Sequence, residues 1–269
     1  MEKPAPQPSS ADAGPSFLAR HEFVLRRLHS LSGLVPVGAY MVVHLVTNAS
    51  VLGGAATFQG NVDKIHALGP LLPLVEWTFI FIPILFHAIF GFVIIKGGLP
   101  NTANYPYRNN FRYTLQRVTG VLAFIYIAFH IWQLHHYGHS LGGGKFDPEH
   151  ATSSTAAALD SLPIKIAYAI GMLSCVYHLA NGIWTMGITW GVWVSPAAQR
   201  RADYICAGFG IVVAVVGLGA MKGFGDVNVD ETKQTENRLI EVKEMLKGEM
   251  PITSPASASP SDEPSPARR

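Results

Sequence analysis

Charged side chains are scarce in this chain, and their scarcity is the first constraint on its class. Only 14% of the 269 residues are charged, against 49% that are hydrophobic, whereas a soluble domain carries about 25% charged residues. Five runs contain no Asp, Glu, Lys or Arg: 28–62, 77–95, 118–144, 166–199 and 204–221. Because a transmembrane helix needs about 20 mostly apolar residues, these runs predict an all-α integral membrane protein with a five-transmembrane-helix bundle. The alternative is a soluble protein with a helical core, but such a core does not require five uncharged runs of this length.

Cysteine is almost absent, which excludes several kinds of redox centre. The two cysteines, Cys175 and Cys206, lie in separate apolar runs. They cannot form a Cys-x-x-Cys iron–sulfur or zinc site, and the chain has no Cys-x-x-Cys-His motif for covalent haem attachment. Both are interpreted as small buried apolar residues.

The N-terminus lacks the short apolar core of a cleaved signal peptide, and it is rich in Pro and Ser instead. Residues 1–20 are therefore predicted to be a disordered cytoplasmic segment, followed by a membrane domain at 21–222. Its predicted spans, I to V, cover about 28–47, 74–96, 114–136, 163–190 and 203–222. Residues 223–249 form a charged segment that can become helical, and 250–269 form a Pro/Ser-rich tail predicted to be disordered.

Basic residues predict the orientation. Most lie before span I, between spans II and III, and between spans IV and V: Arg20, Arg26, Arg27, Lys96, Arg108, Arg112, Arg117, Arg200 and Arg201. The positive-inside rule places these segments, and so the N-terminus, in the cytoplasm of a bacterium, with the chain crossing the cytoplasmic (inner) membrane. Five spans then leave the C-terminus outside, although residues 222–247 carry five Lys or Arg.

Each of spans I to IV carries one deep histidine. These are His44, His87, His130 and His178, and a fifth histidine, His29, stands beside two arginines at the start of span I. Ionisable residues inside a membrane are rare and usually functional. A histidine that only forms a hydrogen bond to another helix is the alternative, and it is the better interpretation of any single one. Four histidines, one to a span, favour ligands.

The flanking residues divide the four histidines into two pairs. His87 and His178 share the pattern aromatic–His–x–x–x–Gly. In spans I and III a basic residue is followed by a hydroxyl–glycine pair and then by the histidine. The glycine precedes its histidine by eleven residues for Gly33 and His44, and by ten for Gly120 and His130. A glycine allows a large planar group to approach the backbone. At 1.5 Å per residue, His44 and His130 are also predicted to lie farther from the cytoplasm than His87 and His178.

Two histidines at one depth on facing helices suit a six-coordinate haem iron, with the porphyrin between the helices. Without a cysteine attachment motif the haem must be non-covalent b-type. The sequence therefore predicts two b haems with bis-histidine ligation, one by His44 and His130 and the other by His87 and His178. A zinc or copper site of four histidines is the alternative, but two layers do not suit one tetrahedral ion.

Haem propionates are acidic and require cations near the membrane edge. The candidates lie at the cytoplasmic side, where each arginine can also be a plain topology anchor: Arg26, Arg27, His29, Arg112 and Arg117. On the other side, the polar residues available to a quinone are Asn48, Asp63, His66, Glu76, His135 and His136. Their pattern does not single out a quinone site.

Three segments carry a family resemblance: RRLHSLSGLVPVGAYMVVHLVTN, LQRVTGVLAFIYIAFHIW and YHLANGIWTMGITWGVWVSPAAQR. Over 17–221 the chain resembles the membrane-anchor subunits of succinate dehydrogenase of the single-chain, five-helix, di-haem cytochrome b type, which are related to the fumarate reductase cytochrome b subunit. The charged C-terminal extension lies outside that pattern.

The resemblance implies a role in electron transfer within the respiratory chain and the tricarboxylic acid cycle. In the family a flavoprotein subunit oxidises succinate, and an iron–sulfur subunit passes the electrons to the anchor on its cytoplasmic side. The haems conduct them to a membrane quinone, which in the di-haem class is usually menaquinone. Succinate oxidation itself is then on other subunits, and the implied partners are these subunits, lipid and quinone, with no nucleic acid. Some di-haem fumarate reductases carry a membrane glutamate where this chain has Val176, so that proton route is not expected here.

Two other functions fit parts of the sequence. A fumarate reductase cytochrome b subunit keeps both haems and reverses the reaction, and other bis-histidine cytochromes b would differ in their partner subunits. A non-haem transporter with a histidine relay belongs to another class and predicts a protein that functions without haem.

Overall fold

The computed structural model describes residues 17–98 and 100–248, and over these residues every regular element is helical. Five of the helices are long and apolar enough to cross a membrane: Phe17–Gly53, Gly69–Lys96, Arg108–Leu134, Leu162–Thr189 and Pro196–Gly225. These are spans I to V, and the prediction of an all-α protein with five spans is confirmed. Most of the helices extend beyond the apolar runs that predicted them, because a helix can continue into water after its apolar stretch ends. The predicted tail at 250–269 and most of the predicted N-terminal segment lie outside the described residues, but 17–20 form the first turn of span I.

The five spans expose apolar side chains outward, as a bundle in lipid must. Each span has an aliphatic residue whose side chain is more than half exposed: Val43, Ile89, Ile125, Ile170 and Ile211. Between the spans, contacts rely on small residues. Gly171 of span IV packs against the ring of Tyr126 in span III, and a Cβ on Gly217 of span V would lie 2.7 Å from the sulfur of Met172 in span IV. Close approach at glycine is the usual way for helices to pack in a membrane.

Spans I and II each contain a π-helical segment next to a proline. In span I the segment Gly33–Gly38 includes Pro36, and in span II the segment Trp77–Phe81 precedes Pro83. Proline has no N–H for the i→i−4 ladder and clashes with the preceding turn, and a π-bulge is one way in which a helix absorbs this defect. Such bulges turn the side chains that follow relative to those that precede them, so the prolines help to determine which residues of spans I and II face the bundle.

The two ends of the bundle differ. At one end, here called the arginine end, lie the start of span I, the II–III connection and the IV–V connection with their arginines. At the opposite end, the loop-helix end, spans I and II are joined through the first loop helix, Ala55–His66, and the III–IV connection contains the second loop helix, Ala151–Ala158. Because the chain crosses five times between them, the start of span I and the end of span V lie at opposite ends of the bundle.

The charged segment after span V forms the C-terminal helix, Val229–Lys247. Local sequence signals account for it: the Asn228 side chain caps its N-terminus by accepting from the Glu231 N–H, and Gly248 ends it with a φ of 76°. The helix packs on both loop helices. It therefore covers the loop-helix end of the bundle.

One carboxyl group attaches the C-terminal helix to the bundle. Glu236 is fully buried, and its oxygens accept hydrogen bonds from the backbone N–H of Thr152 at 2.7 Å and from the hydroxyl of Ser153 at 2.5 Å. These groups belong to the first turn of the second loop helix, whose N–H groups have no partner within that helix. An acidic group there also interacts favourably with the helix dipole. Lys243 adds an ion pair to Asp63 of the first loop helix.

We expect Glu236→Ala to loosen the C-terminal helix. Loss of these hydrogen bonds weakens the docking of the helix on the bundle by about 1–3 kcal/mol. The fraction of molecules in which the helix is detached should therefore rise about fivefold or more. The measurement is the rate of limited tryptic cleavage after the lysines and arginine of this helix, in the membrane-inserted protein.

Glu241→Ala is the matched control, because Glu241 lies on the same helix and is exposed. Equal cleavage rates in the two variants would show that Glu236 does not hold the helix in place.

Candidate haem-binding site

His87 and His178 meet between spans II and IV. Their ring centres are 6.0 Å apart, and the ring planes are at 88° to each other. Nδ1 of His87 is 2.9 Å from the backbone carbonyl oxygen of His29 in span I, and Nδ1 of His178 is 3.0 Å from that of Gln116 in span III. A carbonyl oxygen can only accept, so each Nδ1 carries the proton. Each Nε2 is therefore left with a free lone pair.

The hydroxyl–glycine pairs of spans I and III lie next to these two carbonyl groups. Ser32 donates its hydroxyl to the His29 carbonyl at 3.0 Å, whereas Thr119 donates to the Leu115 carbonyl at 2.6 Å and lies 3.4 Å from the Gln116 carbonyl. One residue later a glycine packs against the imidazole. A Cβ on Gly33 would overlap the ring of His87, and a Cβ on Gly120 would lie 2.9 Å from Cε1 of His178.

The structure specifies which planar groups approach the two glycines. From the sequence, Gly33 and Gly120 were expected only to let a large planar group approach the backbone. In the structure they admit the imidazoles of the other pair, because each stands one turn beyond the carbonyl that the imidazole binds.

His44 and His130 meet between spans I and III. Their ring centres are 5.8 Å apart with planes at 82°. Aromatic rings surround them, with Tyr40 next to His44, and both Tyr126 and Tyr168 within 5.8 Å of His130. Nδ1 of His130 is buried and has no hydrogen-bond partner among the described residues. This pair lies close to the loop-helix end, since span III ends at Leu134.

Both pairs have a spacing that suits one metal atom between two imidazoles. Two metal–nitrogen bonds of about 2 Å each, together with the radius of each ring, place the ring centres about 6 Å apart. An edge-to-face aromatic pair has a similar spacing, so the distance alone does not identify a ligand pair. For His87 and His178, the hydrogen bonds at Nδ1 favour a ligand pair over a simple aromatic contact. Metal-ligating histidines usually donate their second N–H to a carbonyl or carboxylate group.

A single cavity connects the two pairs. It has a volume of about 1320 Å³, is lined mainly by apolar side chains, and includes all four histidines. Pockets for one small ligand measure roughly 300–1,000 Å³, so this cavity has room for more than one. Over the described residues, no three His, Cys, Asp or Glu side chains converge as metal ligands. A single zinc or copper site of four histidines therefore does not fit.

Buried nitrogen atoms without a hydrogen-bond partner line the arginine end of this cavity. They are Nη1 of Arg27, Nδ1 of His29 and Nε of Arg117, and none has a partner among the described residues. Buried polar atoms normally have a partner, so these three nitrogens are available to an acidic group.

The two other candidates for a propionate are already engaged. Arg26 pairs with Glu22, one helical turn earlier. Arg112 binds Asp203 and Asn181 and lies over the ring of Trp184, 3.7 Å from its centre. Of the five residues that the sequence offers as propionate partners, the structure therefore favours Arg27, His29 and Arg117.

Four of the polar residues considered for a quinone line the cavity: Asn48, His66, Glu76 and His135. Glu76 and His135 approach to 3.6 Å at the loop-helix end, beside the His44–His130 pair. Burial, followed by the charge of neighbouring His136, lowers the pKa of His135. Asp63 instead binds Lys243 and Gln59, so it supports the C-terminal helix.

Sequence reasoning missed two residues of this site, Gln116 and Asn181. Both are amides within transmembrane helices, and Gln116 supplies the carbonyl group for His178 while its side chain binds Asn181. The available signal was a polar amide in each of the strings LQRVTG and HLANG. It was overlooked because the adjacent arginine and histidine carry the more familiar chemistry.

Comparison with known proteins agrees with this geometry. Residues 109–218 match the family model described as "Succinate dehydrogenase/Fumarate reductase transmembrane subunit". A relative from Bacillus subtilis (strain 168), the "Succinate dehydrogenase cytochrome b558 subunit", is 34% identical over 203 residues, which are 76% of this chain and 97% of the relative. The chain therefore belongs to the family of succinate dehydrogenase/fumarate reductase transmembrane subunits.

Proposed function

We propose that this chain is the cytochrome b membrane subunit of a succinate dehydrogenase and that it binds two b haems, each between two histidines. The observation that carries the proposal is the presence of two histidine pairs, each about 6 Å between ring centres, at two depths of one apolar cavity. The name of the relative favours succinate dehydrogenase over fumarate reductase. A transporter with a histidine relay gains no support from either family finding.

His87 and His178 would hold the haem nearer the arginine end through their Nε2 atoms, with each ring oriented by its carbonyl partner. His44 and His130 would hold the second haem. Arg27, His29 and Arg117 have the unpaired buried donors that suit the propionates of the first. When bound, the two haems supply one-electron carriers on the path across the membrane.

The arginine end would face the cytoplasm of a bacterium and dock the iron–sulfur subunit, which receives electrons from the flavoprotein subunit. The concentration of arginines there supports this orientation through the positive-inside rule. Electrons would then move from the His87–His178 layer to the His44–His130 layer and on to a quinone. Menaquinone is the proposed acceptor, on the basis of the resemblance to the di-haem class.

Electron transfer in this direction is coupled to the membrane potential. Moving one electron across the full membrane changes its free energy by about 2.3 kcal/mol per 100 mV of membrane potential. Val176, at the position of the membrane glutamate of some fumarate reductases, is buried against Met172 and Val213. It supplies no proton carrier, so the proposed electron path is not accompanied by a proton path at this position.

The ligand scheme predicts how haem content responds to loss of single histidines. We expect about two b haems per chain in the purified complex, and His44→Ala and His87→Ala should each remove a different one. The measurement is a reduced-minus-oxidised spectrum with pyridine haemochrome quantitation. A folded, membrane-inserted wild-type chain without haem would refute the proposal.

The glycine contact predicts a second, steric effect. In Gly33→Ala the new methyl group overlaps the imidazole of His87, which its hydrogen bond to the His29 carbonyl holds in place. The ring must turn or shift, so we expect loss of about one haem, or a changed low-spin electron paramagnetic resonance signal for one haem.

Gly208→Ala provides the comparison, because a Cβ there meets no atom within 4 Å and the residue also lies in a membrane span. If Gly33→Ala keeps both haems with unchanged spectra, the imidazole of His87 is not held against span I.

A further inference from the structure

A chain of side-chain hydrogen bonds connects the surface at the arginine end to His178. Arg112 of span III donates from Nη1 to Asp203 of span V at 2.7 Å. Its Nε donates to the side-chain oxygen Oδ1 of Asn181, in span IV, at 2.9 Å. The Asn181 amide donates to the Gln116 side chain of span III at 2.7 Å. The Gln116 amide in turn donates to the backbone carbonyl of His178 at 3.1 Å.

At its inner end the chain closes on the imidazole. Gln116 and His178 are joined twice, since the Gln116 backbone carbonyl accepts from Nδ1 of His178 while the Gln116 side chain donates to the His178 carbonyl. A shift of Gln116 relative to span IV must therefore move the acceptor that orients the imidazole. Asn181 limits such a shift by holding the Gln116 side chain from the other side.

The network is fully connected, with Asn181 buried and its other members partly buried. Asn181 is 4% exposed, and the side chains of Arg112 and Asp203 are 15% and 16% exposed. Buried polar groups are costly unless each has a partner, and such groups within a membrane usually serve a function. Here the network joins spans III, IV and V, which a purely apolar contact could do at lower cost.

The other half of the site lacks an equivalent support. The residue that corresponds to Gln116 is His29, whose backbone carbonyl accepts from Nδ1 of His87. Its side chain stacks on His87 at 4.0 Å, and Nδ1 of His29 has no hydrogen-bond partner among the described residues. The two imidazoles of one pair are thus oriented by carbonyl groups of different rigidity.

We propose that Gln116, Asn181 and Arg112 are positioning residues that hold the Gln116 carbonyl against Nδ1 of His178 and thereby lower the potential of the haem bound by His87 and His178. The inference rests on the proposed function. A strong Nδ1–H···O=C hydrogen bond makes an imidazole a better electron donor, and outer-sphere bonds of this kind tune the metal centre. Electron donation stabilises ferric over ferrous iron, which lowers the potential.

The test is a redox titration of the purified complex with Asn181→Leu and, separately, Gln116→Leu. Both changes remove the Asn181–Gln116 bond, and neither adds charge. Asn181→Leu also removes the bond from Arg112, whereas Gln116→Leu also removes the bond to the His178 carbonyl. We expect the midpoint of the haem that is absent in His87→Ala to rise, with about a tenfold change in its reduction equilibrium, which is 59 mV for one electron. The midpoint of the other haem should stay constant. Loss of the first haem alone would also support the proposal.

Gln133→Leu is the matched control. Gln133 is a buried amide on span III beside His130, and its side chain binds the Ala158 carbonyl and the Tyr168 hydroxyl. The proposal is overturned if neither Asn181→Leu nor Gln116→Leu moves a midpoint, if both haems move together, or if Gln133→Leu moves the first haem equally. A wild-type complex without haem would instead overturn the proposed function, so the two failures are distinguishable.

Discussion

The hydrogen bond from an imidazole Nδ1 to a backbone carbonyl of a neighbouring span is the interaction on which the rest of the site depends. A polar ring inside an apolar bundle is costly unless both of its nitrogens are satisfied. His87 and His178 solve the problem at one nitrogen, using the carbonyls of His29 and Gln116. The tautomer follows, and Nε2 of each ring keeps a free lone pair. In the proposed function, haem iron is the partner of both lone pairs.

That hydrogen bond imposes conditions on the sequence around it. The carbonyl must belong to a helix that approaches within contact distance, which requires a glycine one turn later, at Gly33 and Gly120. In span I the hydroxyl of Ser32 also donates to the His29 carbonyl, and the π segment that includes Pro36 begins at Gly33. A small residue and a carbonyl acceptor one turn earlier thus form one local arrangement that orients an imidazole, and the chain uses it twice.

The two ends of the bundle have different supports. At the arginine end, a partly buried ion pair and two amides connect spans III, IV and V around His178. At the loop-helix end, the C-terminal helix caps the second loop helix through Glu236. The histidines of the second layer are packed by the rings of tyrosines. The proposed electron path runs from the polar, rigid layer to the more apolar one.

The sequence by itself determined the class of the protein, the five spans and the four deep histidines, because charge depletion and helix length depend on composition along the chain. The shared sequence contexts also grouped His44 with His130 and His87 with His178, the same two groups whose rings meet in the structure. Only the tertiary structure decided which carbonyl groups orient the imidazoles and that Gly33 and Gly120 contact the opposite pair. It also decided that Asp203 and Asn181 bind Arg112, while Arg27 and Arg117 each keep one buried nitrogen without a hydrogen-bond partner among the described residues, and that Glu236 is buried. Each of these depends on contacts between residues that are distant in the chain, and a linear pattern carries no information about which helix face a partner will meet.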